Sequence, residues 1–264
     1  VNTFGAVFGC LFTQYLAIRL WGVQGATGVA IGLNAVVFIL CLGRPRIFYT
    51  ADSSLVKVDA KPEKSKKKLE ADISPATGTL VFILFAYSGM ASLSSQILWT
   101  RILIFPLGST LYSFALILST FLLGIAIGSL AANKLLGRSH QVLKFVGIEI
   151  SIGIFCVAIL PVLANLTEWT ALADQYFYSL EPSAGKTFLI RSLFAFGLMF
   201  LPTFGFGLLF PLANHIYSYR FEGVGKVLGN TYSINTVGAV LGTILTPFVF
   251  IPLFGIRLSL YGIY

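Results

Sequence analysis

The chain has 264 residues, of which 56% are hydrophobic and only 11% are charged, and its mean hydropathy is +0.87. Soluble domains carry about 25% charged residues, so the composition excludes a water-soluble globular domain and indicates an integral membrane protein. The formal net charge of +8 would favour nucleic acid in a soluble chain. Here the basic residues lie between apolar segments, where they set topology and contact lipid headgroups.

Two apolar segments open the chain and a polar one follows them. Predicted helix A covers about 2–20 and helix B about 26–42, with Trp21 and Gly22 at the turn between them. Segment 44–78 has eight Lys or Arg against five Asp or Glu, a net charge of 8 − 5 = +3, and few large apolar residues. It cannot bury a core, so we predict a basic, flexible linker.

Six further helices are predicted after the linker, most of them near the 20 apolar residues that a membrane crossing needs. Predicted helices C to G cover about 79–98, 109–133, 143–163, 187–213 and 225–250, and helix H begins at 258. The polar interval 167–185 contains Trp169 and Tyr176, which are typical of a helix lying in the interface. The predicted fold is an all-α polytopic bundle of about eight transmembrane segments.

The loops predict the orientation of this bundle. The linker 44–78, the D–E turn with Lys134 and Lys144, and the F–G turn with Lys226 all fall on one side if the helices alternate. The positive-inside rule makes that side cytoplasmic, and we expect the membrane to be a bacterial cytoplasmic (inner) membrane. The E–F interval, which is acidic, falls outside.

The chain contains an internal repeat. Residues 2–24 align on 235–257 at an offset of 235 − 2 = 233 with ten identities, and apolar residues fill most other positions. Both copies run outward from the cytoplasmic side, so the duplication is parallel, as in the two halves of major-facilitator transporters. We therefore interpret 1–43 as the last two helices of a first repeat and 79–264 as a second repeat cut short in its last helix. The lost counterparts of helices C to F are expected upstream of Val1.

Five segments then invite comparison with a known family: SGMASLSSQILWTRIL at 88–103, FLLGIAIGS at 121–129, the helix of Glu149, LPTFGFGLLFPL at 201–212 and NTVGAVLG at 235–242. In this order they resemble the membrane region of spermidine-synthase-like fused proteins. That resemblance implies a bundle that anchors or partners a cytoplasmic aminopropyltransferase-like domain absent from this chain. No catalytic residue and no cofactor transfers to this chain, because the Gly205–Gly207 run lies in an apolar helix without the strand–turn–helix context of a nucleotide-binding loop.

One intramembrane carboxylate is the main candidate for a site. Glu149 lies inside predicted helix E, and an ionisable group at such depth faces the bundle interior and finds a partner. Four residues at a similar depth complete the candidate polar site: Asn214, His215, Asn230 and Asn235. Two interpretations stay open, a pocket for a cationic or polar ligand and a carboxylate satisfied by amides that holds the bundle in register.

The other residues singled out are interpreted structurally. Trp99 and Arg101 form a predicted interfacial anchor. Pairs of glycines spaced i, i+4 are predicted to let helices approach closely: Gly5/Gly9, Gly124/Gly128, Gly225/Gly229 and Gly238/Gly242. Cys10, Cys41 and Cys156 lack metal-ligand spacing, and no metal site is expected.

Three functions remain in view. The first is the non-catalytic bundle of a spermidine-synthase-like membrane protein, in which any transferase activity would belong to another domain. The alternatives are a secondary transporter-like bundle for a polar or cationic solute and a structural subunit of a larger membrane complex. The expected partners are the lipid bilayer and a fused synthase-like domain or other membrane subunits, and not nucleic acid.

Overall fold

The structure, a computed structural model, describes residues 2–43, 75–136, 140–178, 184–218 and 224–264. Most of the predicted linker 44–78 therefore lies outside the described residues. All regular elements within the described ranges are helical. The described residues form ten α-helices: α1 Asn2–Phe12, α2 Ile18–Gly43, α3 Pro75–Leu107, α4 Leu111–Ala132, α5 Gln141–Ala158, α6 Leu160–Ala164, α7 Leu166–Tyr178, α8 Ala184–Tyr217, α9 Val224–Leu245 and α10 Ile251–Ile263. Two π-helical turns, π1 Thr13–Ala17 and π2 Thr246–Phe250, join α1 to α2 and α9 to α10.

Six helical stretches within the described residues are long and apolar enough to cross a membrane. The chain is therefore an integral, multi-pass membrane protein, as predicted. The predicted number of eight spans is not confirmed, because 2–42 and 225–263 each form one continuous stretch of 41 and 39 residues. Both are about twice the length that one crossing needs, and each contains one break, at Gly22 or Gly255.

Glycines set the closest helix contacts and the relative directions of the helices. A Cβ on Gly238 would overlap with the carbonyl oxygen of Ala86, and one on Gly242 would overlap with that of Met90. Because the residue numbers along these contacts increase in the same direction on both helices, α9 runs parallel to α3. Gly124 meets Thr203 and Gly128 meets Gly207 in the same way, so α4 and α8 are also parallel. These directions agree with the strict alternation from which the topology was predicted.

Two buried clusters fill the bundle. The larger one joins α3, α5 and α8 through residues such as Phe85, Phe145 and Leu209, and the smaller one surrounds Trp99, Phe121 and Met199. The predicted interfacial helix in 167–185 corresponds to α7, which begins at Leu166. Helix α7 carries an exposed Trp169.

Helix α3 is longer than the predicted helix C, which was expected to end at residue 98. It continues to Leu107 and includes Pro106 in its last turn. The Pro106 carbonyl accepts a hydrogen bond of 2.5 Å from Nη1 of Arg191 on α8. A side chain from another helix thus satisfies a carbonyl at a helix end, where intrahelical partners run out.

The internal repeat is visible in the backbone. Turns π1 and π2 are offset by 246 − 13 = 233 residues, and in each the hydrogen bond spans five residues, from Ile18 to Thr13 and from Ile251 to Thr246. Gly22 has φ 67° and ψ −179°, and Gly255, again 233 residues later, has φ 71° and ψ 172°. The two copies therefore share an inserted residue and a break, both at residues that are identical in the alignment.

Candidate functional site

Glu149 lies in the middle of α5, on the side that faces α3. The Ser88 hydroxyl of α3 donates a hydrogen bond to the Glu149 side chain. Ser88 is itself 4% exposed, so this bond is screened from water. The Oε2 atom of Glu149 is buried and has no hydrogen-bond partner among the described residues. One carboxylate oxygen is thus left with unused acceptor capacity inside the bundle.

A cavity of about 540 Å³ adjoins this carboxylate. It lies between α3, α5, α8 and α10 and has the size of a small-molecule site, for which about 300–1,000 Å³ is typical. Its walls are mostly apolar and aromatic, and they include Phe206 of α8. Ile150 and Ile154 of α5 also line it and are 56% and 66% exposed, so they form its open rim.

Two tyrosines add hydroxyl groups to the cavity lining, and both are held by hydrogen bonds. Tyr87 of α3 donates to the carbonyl oxygen of Ile263. The hydroxyls of Ser95 and Tyr264 are hydrogen-bonded to each other. The Ser95 hydroxyl also donates to the Ala91 carbonyl, and Tyr264 also makes a side-chain hydrogen bond with Cys156. The tyrosine hydroxyl protons are therefore engaged, and Glu149 is the one acidic residue among the described residues that line the cavity.

The structure does not bring the other four predicted polar residues into this cavity. None of Asn214, His215, Asn230 and Asn235 is among its lining residues. Asn214 accepts a hydrogen bond from Thr231, which ties α8 to α9. Asn235 lies against Gly89 on α3, one residue from Ser88. The amides therefore serve helix contacts near the site.

The predicted glycine pairs divide into two groups. Gly124, Gly128, Gly238 and Gly242 lie against the backbone or side chains of a neighbouring helix. At Gly5, Gly9, Gly225 and Gly229, nothing lies within 4 Å of the position that a Cβ would take. The same spacing therefore marks a tight contact in one half of the cases and an open surface in the other.

The predicted anchor of Trp99 and Arg101 has only its arginine at the surface. Trp99 is 1% exposed and packs in the smaller buried cluster, whereas Arg101 is exposed. Successive positions on a helix are about 100° apart, so two residues separated by two positions point to opposite sides. The tryptophan side chain consequently belongs to the core instead of the lipid surface.

Sequence reasoning identified Glu149 but not the groups around it. Tyr87, Ser88, Phe206 and Tyr264 come from three other helices, and only the packing of those helices brings them to the carboxylate. A usable signal did exist for Ser88, because it opens the segment 88–103. Phe206 also lies in one of the five segments, but nothing in the run 201–212 sets it apart from its apolar neighbours.

Chemically, the arrangement suits the binding of a cation with an apolar body. The carboxylate supplies the charge and a free acceptor atom, and the aromatic walls supply apolar contact and cation–π attraction. No group of three His, Cys, Asp or Glu in the described part of the chain could hold a metal ion. The fold and the cavity together define a polytopic helical membrane protein with an internal acidic site. No protein-family model, curated protein or solved structure matches the chain.

Proposed function

We propose that this chain is a transporter-like membrane bundle that binds an organic cation in the cavity around Glu149. The observation that supports this proposal is the buried Oε2 atom of Glu149, which adjoins a cavity of about 540 Å³ and has no hydrogen-bond partner among the described residues. Burying a carboxylate without compensation costs several kcal/mol. A cationic ligand that enters the cavity would offset part of that cost.

The residues that line the cavity favour amines with a hydrocarbon part as ligands. Of the twelve lining residues, Glu149 is the only acid, and most of the others are apolar. A small, strongly hydrated inorganic cation would lose its water shell against these walls, whereas an alkylammonium group brings its own apolar surface. Polyamines belong to this class and connect the proposal to the family that the sequence resembles.

The test is binding of radiolabelled spermidine and of a tetraalkylammonium ion to the purified protein in proteoliposomes. Glu149→Gln removes the charge but keeps the size. We expect affinity for spermidine to fall by about tenfold to a hundredfold, the equivalent of a charge-assisted hydrogen bond of about 1.5–3 kcal/mol, and affinity for the tetraalkylammonium ion, which has no N–H to donate, to fall less. Ser88→Ala should weaken binding less, because it keeps the carboxylate.

The matched control is Glu168→Gln on α7, which removes a carboxylate that is exposed and outside the cavity lining. It should leave binding unchanged. Equal affinity of Glu149→Gln and the parent protein would contradict the proposal. A Glu149→Gln protein that binds normally but unfolds more easily would assign Glu149 to the alternative role, holding the bundle in register.

A second candidate is the membrane region of a spermidine-synthase-like protein, and the packing of the resembling segments favours it. Segment 88–103 packs on 235–242 through Gly242, and segment 121–129 packs on 201–212 through Gly124 and Gly128. The four segments therefore pack on one another as two pairs within this bundle. Its test is the gene: an adjoining sequence for a nucleotide-binding loop with acidic residues would support it, and its absence would count against it.

A further inference from the structure

The two copies of the repeat carry the same polar and small residues along one side of a helix. We define the copy-one stripe as Asn2, Gly5, Gly9 and Thr13, and the copy-two stripe as Asn235, Gly238, Gly242 and Thr246. All four residues are identical between the copies, and their spacing of three, four and four keeps them on one face of a helix.

The copy-two stripe is a helix interface. Gly238 and Gly242 are buried against carbonyl oxygens of α3, and Thr246 is 0% exposed. Asn235 faces Gly89, so a glycine on each helix allows the close approach. The partner surface on α3 is therefore a ridge of small or unbranched residues, namely Ala86, Gly89, Met90 and Ser94.

The copy-one stripe has no such cover among the described residues. Asn2, Gly5 and Thr13 are exposed, and nothing lies within 4 Å of a Cβ placed on Gly5 or Gly9. Helix α1 is nevertheless fixed in place by its other side. Val7 and Gln14 are 8% and 7% exposed, and Cys10 donates a 3.5 Å hydrogen bond to the Ala115 carbonyl of α4.

We propose that the copy-one stripe is the docking surface for a transmembrane helix that runs parallel to α1 and presents a ridge with the chemistry of α3. The copy-two stripe supplies the reason, because the same four residues in the same backbone form already bind such a helix. A second copy of this chain is disfavoured as the source, since its own α3 is covered by its own α9. The occupant is therefore another helix with this ridge, most simply the α3 counterpart of the first repeat.

The experiment uses the whole chain in membranes and a separate probe helix of residues 75–107 with Ser94→Cys. In the chain, Cys10, Cys41 and Cys156 become Ala and Gly9→Cys is introduced. The Ser94 hydroxyl lies 2.8 Å from a Cβ on Gly242, so the corresponding cysteines of probe and chain should form a disulfide under mild oxidation. We expect roughly tenfold more cross-linked product than with Phe8→Cys, since its counterpart Leu241 is 49% exposed and cysteines whose Cβ vectors point apart are not bridged.

Two further variants keep the test decisive. Phe8 is 70% exposed and adjoins Gly9 on a different face, so it controls for random collision. Gly5→Leu should abolish the cross-link at Gly9, whereas Gly32→Leu on α2, also open within 4 Å, should not. Equal yields at Phe8 and Gly9, or an unchanged yield with Gly5→Leu, would overturn the proposal. A disulfide between two Gly9→Cys chains whose yield stays the same when the probe is added would assign the surface to a homodimer. That result would also overturn the proposal.

Discussion

Residues 2–24 and 235–257 have closely related sequences and the same backbone, yet different surroundings. Each copy has a π-turn at the same place and a positive-φ glycine nine residues after the start of that turn. In the second copy the glycine stripe is buried on α3, and in the first copy it is open. Local sequence therefore determines the backbone form, whereas burial depends on which helix lies beside it.

On the other face of the repeat, the first copy is buried and the second copy is exposed. Val7 is 8% exposed because α1 packs on α4, whereas its counterpart Val240 is 51% exposed. Each copy thus covers the face that its twin leaves open. A bundle with two complete repeats related by a pseudo-twofold axis would cover both faces of both copies, as expected for parallel duplications.

The largest expected difference between the copies concerns the change in the free energy of unfolding when the first glycine of each stripe is replaced by alanine. A Cβ on Gly238 would meet the Ala86 backbone, which cannot move aside as a side chain can. Gly238→Ala should therefore lower the free energy of unfolding by about 2–3 kcal/mol, as for overpacked cores. Gly5→Ala should raise it by up to about 1 kcal/mol, because alanine favours helix and meets no neighbour. Denaturation by sodium dodecyl sulfate in mixed micelles measures both.

The pair Gly242→Ala and Gly9→Ala repeats this comparison one turn further along. It should give the same opposite signs, since Gly242 meets the Met90 carbonyl and Gly9 meets nothing within 4 Å. Destabilisation of similar size in both copies would mean that the copy-one stripe is already covered in the isolated chain.

Much of the fold follows from the sequence because the membrane makes hydropathy informative. Apolar segments of about 20 residues must be helices there, since only a helix satisfies its own backbone in lipid. The all-α class follows from this rule. The number of spans does not follow from hydropathy. Gly22 and Gly255 break long helices without any polar loop that would mark a membrane boundary.

Within the candidate site, only Glu149 could be predicted from the sequence. A carboxylate in an apolar helix stands out at once, so Glu149 could be identified from composition. Asn214 and Asn235 lie at a similar depth, but depth does not give rotation about the helix axis. Their rotations direct Asn214 to Thr231 and Asn235 to Gly89, away from the cavity lining. Rotational position depends on packing between distant segments, which no local pattern encodes.

A smaller loss of stability, equal in both copies, is expected when the glycines at the helix breaks are replaced by alanine. Gly22 and Gly255 combine φ near +70° with ψ near 180°, a region that is nearly restricted to glycine and costs other residues about 1–3 kcal/mol. Gly22→Ala and Gly255→Ala should each lower the free energy of unfolding by an amount in this range. Gly262→Ala in α10, where nothing lies within 4 Å, is the control and should not destabilise. Unequal costs at the two breaks would show that packing, not backbone form, governs them.

The smallest expected effect concerns the second residue of each π-turn, Gln14 in the first copy and Pro247 in the second. Since the turn forms with either residue, proline is not its cause. An inserted residue already interrupts the hydrogen-bond ladder, so the missing N–H of proline should be tolerated there. Gln14→Pro should therefore be within about 1 kcal/mol of Gln14→Ala in the free energy of unfolding, whereas Gly32→Pro in α2 should cost about 3 kcal/mol relative to Gly32→Ala. If Gln14→Pro cost as much relative to Gln14→Ala as Gly32→Pro does relative to Gly32→Ala, the π-turn of the first copy would depend on the backbone N–H of residue 14, and proline at this position would be tolerated only in the second copy.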